Sequence, residues 1–221
     1  MTANILALLS EPMTSITDFM LSAVAFYFFF SINKIESKKR SVINWSKFFL
    51  FLGFSTFFGG MAHAISDRQD NLIYDLVWLS MQLSSGFSVF YAQSAAFRSE
   101  VRNRKTQRIL HQVSLLQLMI FIPSVIYFFS FKVVALNSSI GLIELVILFL
   151  PIGIQNWKHK ALICSGVLIS FLTVYVNTTK LSFTSWFNYN DISHVIMFVS
   201  ILMICKGVKY KHKIDALSTT I

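Results

Sequence analysis

Five ionisable side chains, Asp18, His63, Asp75, Asp191 and His194, lie inside long apolar runs. A charged group buried in hydrocarbon costs about 2.5–3.5 kcal/mol on insertion scales, so each calls for a partner. Asn190, Asp191 and His194 follow helical spacings of three and four, which put all three on one side with Cβ atoms about 5–6 Å apart. One metal ion or one proton could bridge them. Asp75, Trp78, Gln82 and Ser85 form a second helical stripe that reads as a cavity wall, although Gln and Ser on such stripes more often serve as hydrogen-bonding glue between helices. Gly59 and Gly60 precede His63 by four and three residues, and on that shared side another helix or a ligand can approach the backbone closely. Glu144 stands alone near the middle of its run, as a protonated acid donating to a carbonyl, a proton relay or a substrate contact. His111, His159 and His212 lie beside basic segments, where a surface role is expected. A plainer reading covers part of the set: acids in a first helical turn are favoured by the helix dipole, and groups near helix ends can reach the headgroups.

The elements that must position these groups are membrane helices. Of 221 residues, 55% are hydrophobic and 13% charged, with a mean hydropathy of +0.63, outside the range of soluble globular chains. Apolar runs of spanning length occupy about 15–33, 46–66, 72–96, 109–129, 133–154, 161–177 and 190–206, predicting an all-α bundle of seven transmembrane helices in a single domain over 1–221. Pro123 and Pro151 fall in these runs, and no alternating strand pattern occurs. Sixteen of the 19 basic residues fall in the segments 34–47, 98–108, 158–160 and 206–213, leaving Arg68, Lys132 and Lys180 for the other side. The positive-inside rule then puts the amino end outside and the carboxyl end in the cytoplasm. The first span has no basic segment before it and is expected to stay in the mature protein. With this topology Asp18, His63, Asp75, Asp191 and His194 share one thin outer layer, roughly 2–6 Å from the helix ends.

The clustering of the +9 net charge between apolar runs excludes nucleic acid as the partner and indicates membrane lipid instead. No GxSxG, HExxH, CxxC or phosphate-loop motif is present, and Cys164 and Cys205 lie in apolar runs without a disulfide framework. Lys206 ends the last span where it can snorkel, which excludes a mid-membrane retinal Schiff base.

The layout resembles the seven-helix superfamily that unites alkaline ceramidases, hemolysin-III-like proteins and progestin/adiponectin-type receptors. GGMAHAISD supplies His63 late in the second span, NLIYDLVW supplies Asp75 early in the third, and FNYNDISHVIMF supplies His194 in the second position of the family's HxxxH pair. Two positions depart from that pattern: Gly59 replaces a Ser, and Asn190 replaces the first His of the pair. The resemblance implies a zinc site with His63 and His194 as ligands and Asp75 in a catalytic role; with Asn190 in place of the first His, Asp191 would complete the ligand set and share the catalytic role, and Asp18, Asn190, Trp78, Gln82 and Glu144 are expected from their own positions to line the cavity or support the ligands. A zinc-bound water of lowered pKa would cut a lipid-like amide from the outer leaflet of a plasma or inner membrane. The expectation is therefore a ceramidase-like, metal-dependent hydrolase. Its rivals are a transporter or a ligand- or proton-sensing protein that binds a small molecule in the same polar cavity, and an assembly subunit whose polar residues only lock helices together.

Overall fold

Pro12 sits in the first turn of the first helix, where a missing N–H costs nothing, and α1 runs Pro12–Asn33. It is followed by α2 (Arg40–Ala64), α3 (Leu72–Glu100), α4 (Arg104–Phe128), α5 (Phe131–Phe149), α6 (Trp157–Thr179) and α7 (Tyr189–Leu217). The computed structural model describes residues 10–35, 39–68, 71–150, 157–184 and 186–217. Most helices extend past their apolar runs because Arg, Lys and Glu are good helix formers and the flanking turns hold them. Thus α2 starts at Arg40 rather than 46, and α7 carries its lysines on to Leu217 instead of stopping at 206. The fifth run, expected to reach 154, leaves the helix at Phe149, and Pro151 lies outside the described residues.

Short polar caps set the turns. Asn71 accepts a hydrogen bond from the Ile73 N–H at the head of α3, and Asn103 accepts from Lys105 and Thr106 at the head of α4. Between α4 and α5 the chain reverses in two residues. Phe129 takes the left-handed conformation (φ 47°), and Ser130 caps α5 by accepting from Lys132.

Six of the seven helices are long and apolar enough to cross a membrane, all except α3. Its packing explains the exception. α3 lies against α2, α4 and α5, so its Gln82, Ser88, Gln93 and Ser94 are buried by protein and need not face lipid. The helices α1, α2, α3, α5, α6 and α7 contact one another in that order, α7 returns to α1, and α4 packs outside on α3 and α5. Within this ring the half near the basic residues is filled by an apolar core that includes Phe28, Trp45, Phe49, Phe149, Ile163 and Val208. The opposite half holds the buried polar residues Ser15, Asp18, Ser55, Thr56 and Asp191.

Glycines set two of the ring contacts. A Cβ on Gly60 would meet the Ser15 carbonyl oxygen of α1 at 3.1 Å, and one on Gly166 would meet the Ser200 carbonyl oxygen of α7 at 2.8 Å. The partner brought close by Gly60 is therefore helix α1.

Candidate functional site

The polar half of the ring is built around the amino end of α7. Asn188 caps that helix by accepting from the Asn190 N–H at 2.7 Å, while Asp191 Oδ2 accepts from the Asn188 N–H at 2.8 Å. This reciprocal pair is a capping box, so one oxygen of Asp191 is structural. The other faces α1, where the Thr17 hydroxyl lies 3.2 Å from Asp191 Oδ1 and 2.8 Å from His194 Nδ1. The far side of the same imidazole meets Asp18, with Nε2 3.2 Å from Oδ1. Asp18 is 4% exposed and Asp191 0%, so these groups face one another rather than water. Gly59 makes the room: a Cβ there would stand 2.9 Å from Asp18 Oδ2. That contact gives a physical reason for glycine where the ceramidase-like pattern has serine.

Thr17 has one proton and three neighbours able to take it, Thr14 O at 3.0 Å, Asp191 and His194. If it donates to His194 Nδ1, then Nε2–H donates to Asp18. If it donates to Asp191 instead, Nδ1–H donates to Thr17, and the Nε2 contact with Asp18 needs a second proton on either partner. Protonation at one end therefore reorders the hydrogen bonds at the other. Two carboxylates buried beside a single imidazole also make the net charge of the group depend on that proton.

His63 joins from the end of α2, and its charge acts on both Asp18 and His194. Its nearest partner is Glu11, with Nδ1 2.8 Å from Oε2. The Glu11 carboxyl is held below its usual range first by this hydrogen bond and then by the His63 charge and a bond from Ser66, partial burial opposing them. Backbone bonds from Ser10 and Glu11 to Ala64 and His63 fold the segment before α1 onto the end of α2. The sequence reading missed Glu11 and Thr17. Thr17 was legible beside Asp18 on the α1 face, whereas Glu11 precedes the apolar run and meets His63 only through the folded-back segment.

The α3 residues divide. Asp75 sits half-buried in the first turn of α3. Trp78 stacks on Tyr74 and packs near Phe131, an aromatic contact toward α5. Gln82 is fully buried, and neither its amide oxygen nor its nitrogen has a hydrogen-bond partner. Glu144 belongs to a separate network between α3, α4 and α5. Its Oε2 accepts from Gln93 Nε2 at 2.7 Å, Gln93 also donates to Gln117, and Gln117 donates to Asn137. An acid expected to donate to a carbonyl or line the outer cavity thus accepts from an amide.

His159, expected on the surface, is 1% exposed. The chain enters α6 against the end of α3, where Glu100 faces His159 Nε2 at 3.4 Å and Lys160 Nζ at 2.9 Å.

Zinc needs donors about 2.0–2.2 Å from a common point. Here both nitrogens of His194 are engaged, His63 Nδ1 is engaged by Glu11, and one Asp191 oxygen caps α7. Among the described residues no three His, Cys, Asp or Glu side chains are grouped to hold a metal ion. The arrangement does not fit the expected set of His63, His194 and Asp191.

Six helices of spanning length around a buried polar cluster define an all-helical, multi-pass membrane protein. The chain belongs to the family of unknown function DUF6962, which it matches over residues 13–213. No curated protein and no solved structure matches it.

Proposed function

We propose that the protein is a seven-span membrane protein, amino end outside, that binds and releases a proton or small cation at its outer end in sensing or transport. The observation that carries this reading is the continuous series Asp18, His194, Thr17 and Asp191, buried at its two acids, whose hydrogen bonds reorder with a single proton. The series joins α1 to α7, the pair that closes the ring, so a change in protonation acts on the ring's closure. The apolar core beneath it favours a one-sided sensing site over an open path. The orientation rests on the basic residues gathered at the opposite helix ends.

Hydrogen exchange at the outer ends of α1 and α7, measured in nanodiscs at pH 5 and pH 8 and corrected for intrinsic rates, tests it. Protection should change with pH in the wild type and lose that dependence in Asp18→Asn. Equal protection at both pH values in the wild type would overturn the reading.

Hydrolysis of a lipid amide is the second reading. It is favoured by one observation, that hydroxyl, imidazole and carboxylate of Thr17, His194 and Asp18 lie in series as a nucleophile, a base and its orienting acid do. Release of fatty acid from an N-acyl lipid that disappears in Thr17→Val would support it. A zinc-dependent version would require His63 and His194 to turn away from Glu11 and Asp18.

A further inference from the structure

At the end of the ring opposite the acidic cluster, α2, α3, α6 and α7 enclose a cavity of about 400 Å³, within the range of small-molecule sites. Its polar wall carries Lys39, Arg98 and Lys211 with the hydroxyls of Ser41 and Ser99, and its floor is apolar, formed by Trp45, Ile163 and Val208. One acid, Glu100, lines it, and Lys160 and His159 hold that acid at 2.9 and 3.4 Å. Glu100 is thus engaged from α6 rather than by Arg98.

Two buried polar atoms of the lining residues have no hydrogen-bond partner, Arg98 Nε and His159 Nδ1. A buried unpaired donor or acceptor costs about 1–3 kcal/mol, and most such groups in proteins are satisfied by protein, water or a ligand. Their chemistry is complementary. The guanidinium is a fork of donors matched to a phosphate or carboxylate edge. The imidazole has Glu100 as acceptor on its Nε2 side, which places the ring proton there and leaves Nδ1 to accept from a hydroxyl. The cavity also lies among the clustered basic residues, a setting that attracts anionic lipid headgroups.

We propose that this cavity binds the phosphate of a hydroxylated headgroup-sized anion, with Arg98 on the phosphate and His159 Nδ1 on a hydroxyl. The same chemistry is offered by a phosphatidylinositol- or phosphatidylglycerol-type lipid and by a soluble polyol phosphate.

The full-length protein in nanodiscs of mixed phosphatidylcholine and phosphatidylinositol, released into native mass spectrometry, tests the lipid source. Thermal unfolding in detergent with inositol monophosphate tests the soluble one. Wild type should retain phosphatidylinositol selectively or be stabilised saturably by inositol monophosphate, and either result supports the site while identifying its ligand. Arg98→Gln should weaken that binding about tenfold, as expected for one lost charge-assisted contact. Lys206→Gln, an exposed lysine at the same end that does not line the cavity, should leave it unchanged. If Arg98→Gln does not fold, Arg98→Lys, which keeps the charge but not the fork of donors, should weaken the same binding. Binding of neither probe by the wild type, or equal losses in Lys206→Gln and the cavity variant, would overturn the proposal.

Discussion

Replacing His194 by alanine should destabilise the protein more than any conservative change around it, and removing a second charge should then restore part of the loss. In the wild type one imidazole serves two buried acids, Asp18 directly at 3.2 Å and Asp191 through Thr17. Without it Asp191, 0% exposed, keeps only the Thr17 hydroxyl and a backbone donor, and Asp18, 4% exposed, keeps only the more distant His63, which is already bonded to Glu11. Breaking a buried pair by removing one partner costs about 3–5 kcal/mol, or roughly 6–20 °C in Tm for a chain of this size. Asp18→Asn alone also loses a charged partner but keeps the shape and leaves the imidazole able to bond Thr17 and Asp191, so a smaller loss of about 1–3 kcal/mol is expected. The decisive comparison is the double variant. In the His194→Ala background, Asp18→Asn removes one of two uncompensated acids and should raise the Tm above that of His194→Ala alone. The assay is thermal unfolding of purified protein in one detergent at pH 7. Additive losses, with Asp18→Asn costing as much in the variant as in the wild type, would show that the two acids and the imidazole do not share charge.

Three further outcomes are expected. Gly59→Ser, which restores the residue of the ceramidase-like pattern, should lower stability by about 1–3 kcal/mol in the same unfolding assay, because its Cβ would lie 2.9 Å from Asp18 Oδ2; an unchanged Tm would show that Asp18 moves aside freely. Glu11→Gln should cost under about 1 kcal/mol near neutrality, since the Glu11 side chain is 40% exposed and an exposed pair is screened. A carboxyl held below its ordinary 4.5 contributes stability above that value and loses it as pH falls through the lowered one, so the Tm difference between Glu11→Gln and wild type should close in acid, and a difference that widens there would refute the pairing. Gln82→Leu should raise stability by about 1–3 kcal/mol by removing two unpaired buried polar atoms, whereas a fall in Tm would mean that a bound water or ligand serves them.

Helix number and type, and the two chemically different ends, were legible because each depends on local composition. Asp18, Asp191 and His194 were legible as a layer because helical rise converts sequence position into depth. Their partners were not. Depth does not say which helices are neighbours, and the order α1, α2, α3, α5, α6, α7 with α4 outside follows from packing. For that reason the sequence does not show that Glu144, expected at mid-depth, meets Gln93 and through it Gln117. His159 was misread on the same ground: its basic neighbours suggest a surface, and only the arrival of Glu100 from α3 buries it.

The closure of the ring by its first and last helices also bears on how the protein is made. Thr17 and His194 are 177 residues apart. At about 5–20 residues per second of synthesis, α1 waits roughly 10–35 s in the membrane before the imidazole for its acid emerges. During that interval Asp18 has Gly59 of α2 against it and His63 of the same helix acting on it, but its partner at 3.2 Å, His194, is not yet made. The contact that closes the ring therefore forms only when the chain is nearly complete, and until then α1 and α2 stand as a pair without it. Premature termination before α7 would thus leave Asp18 without its imidazole partner on that helix and the ring open between α1 and its neighbour.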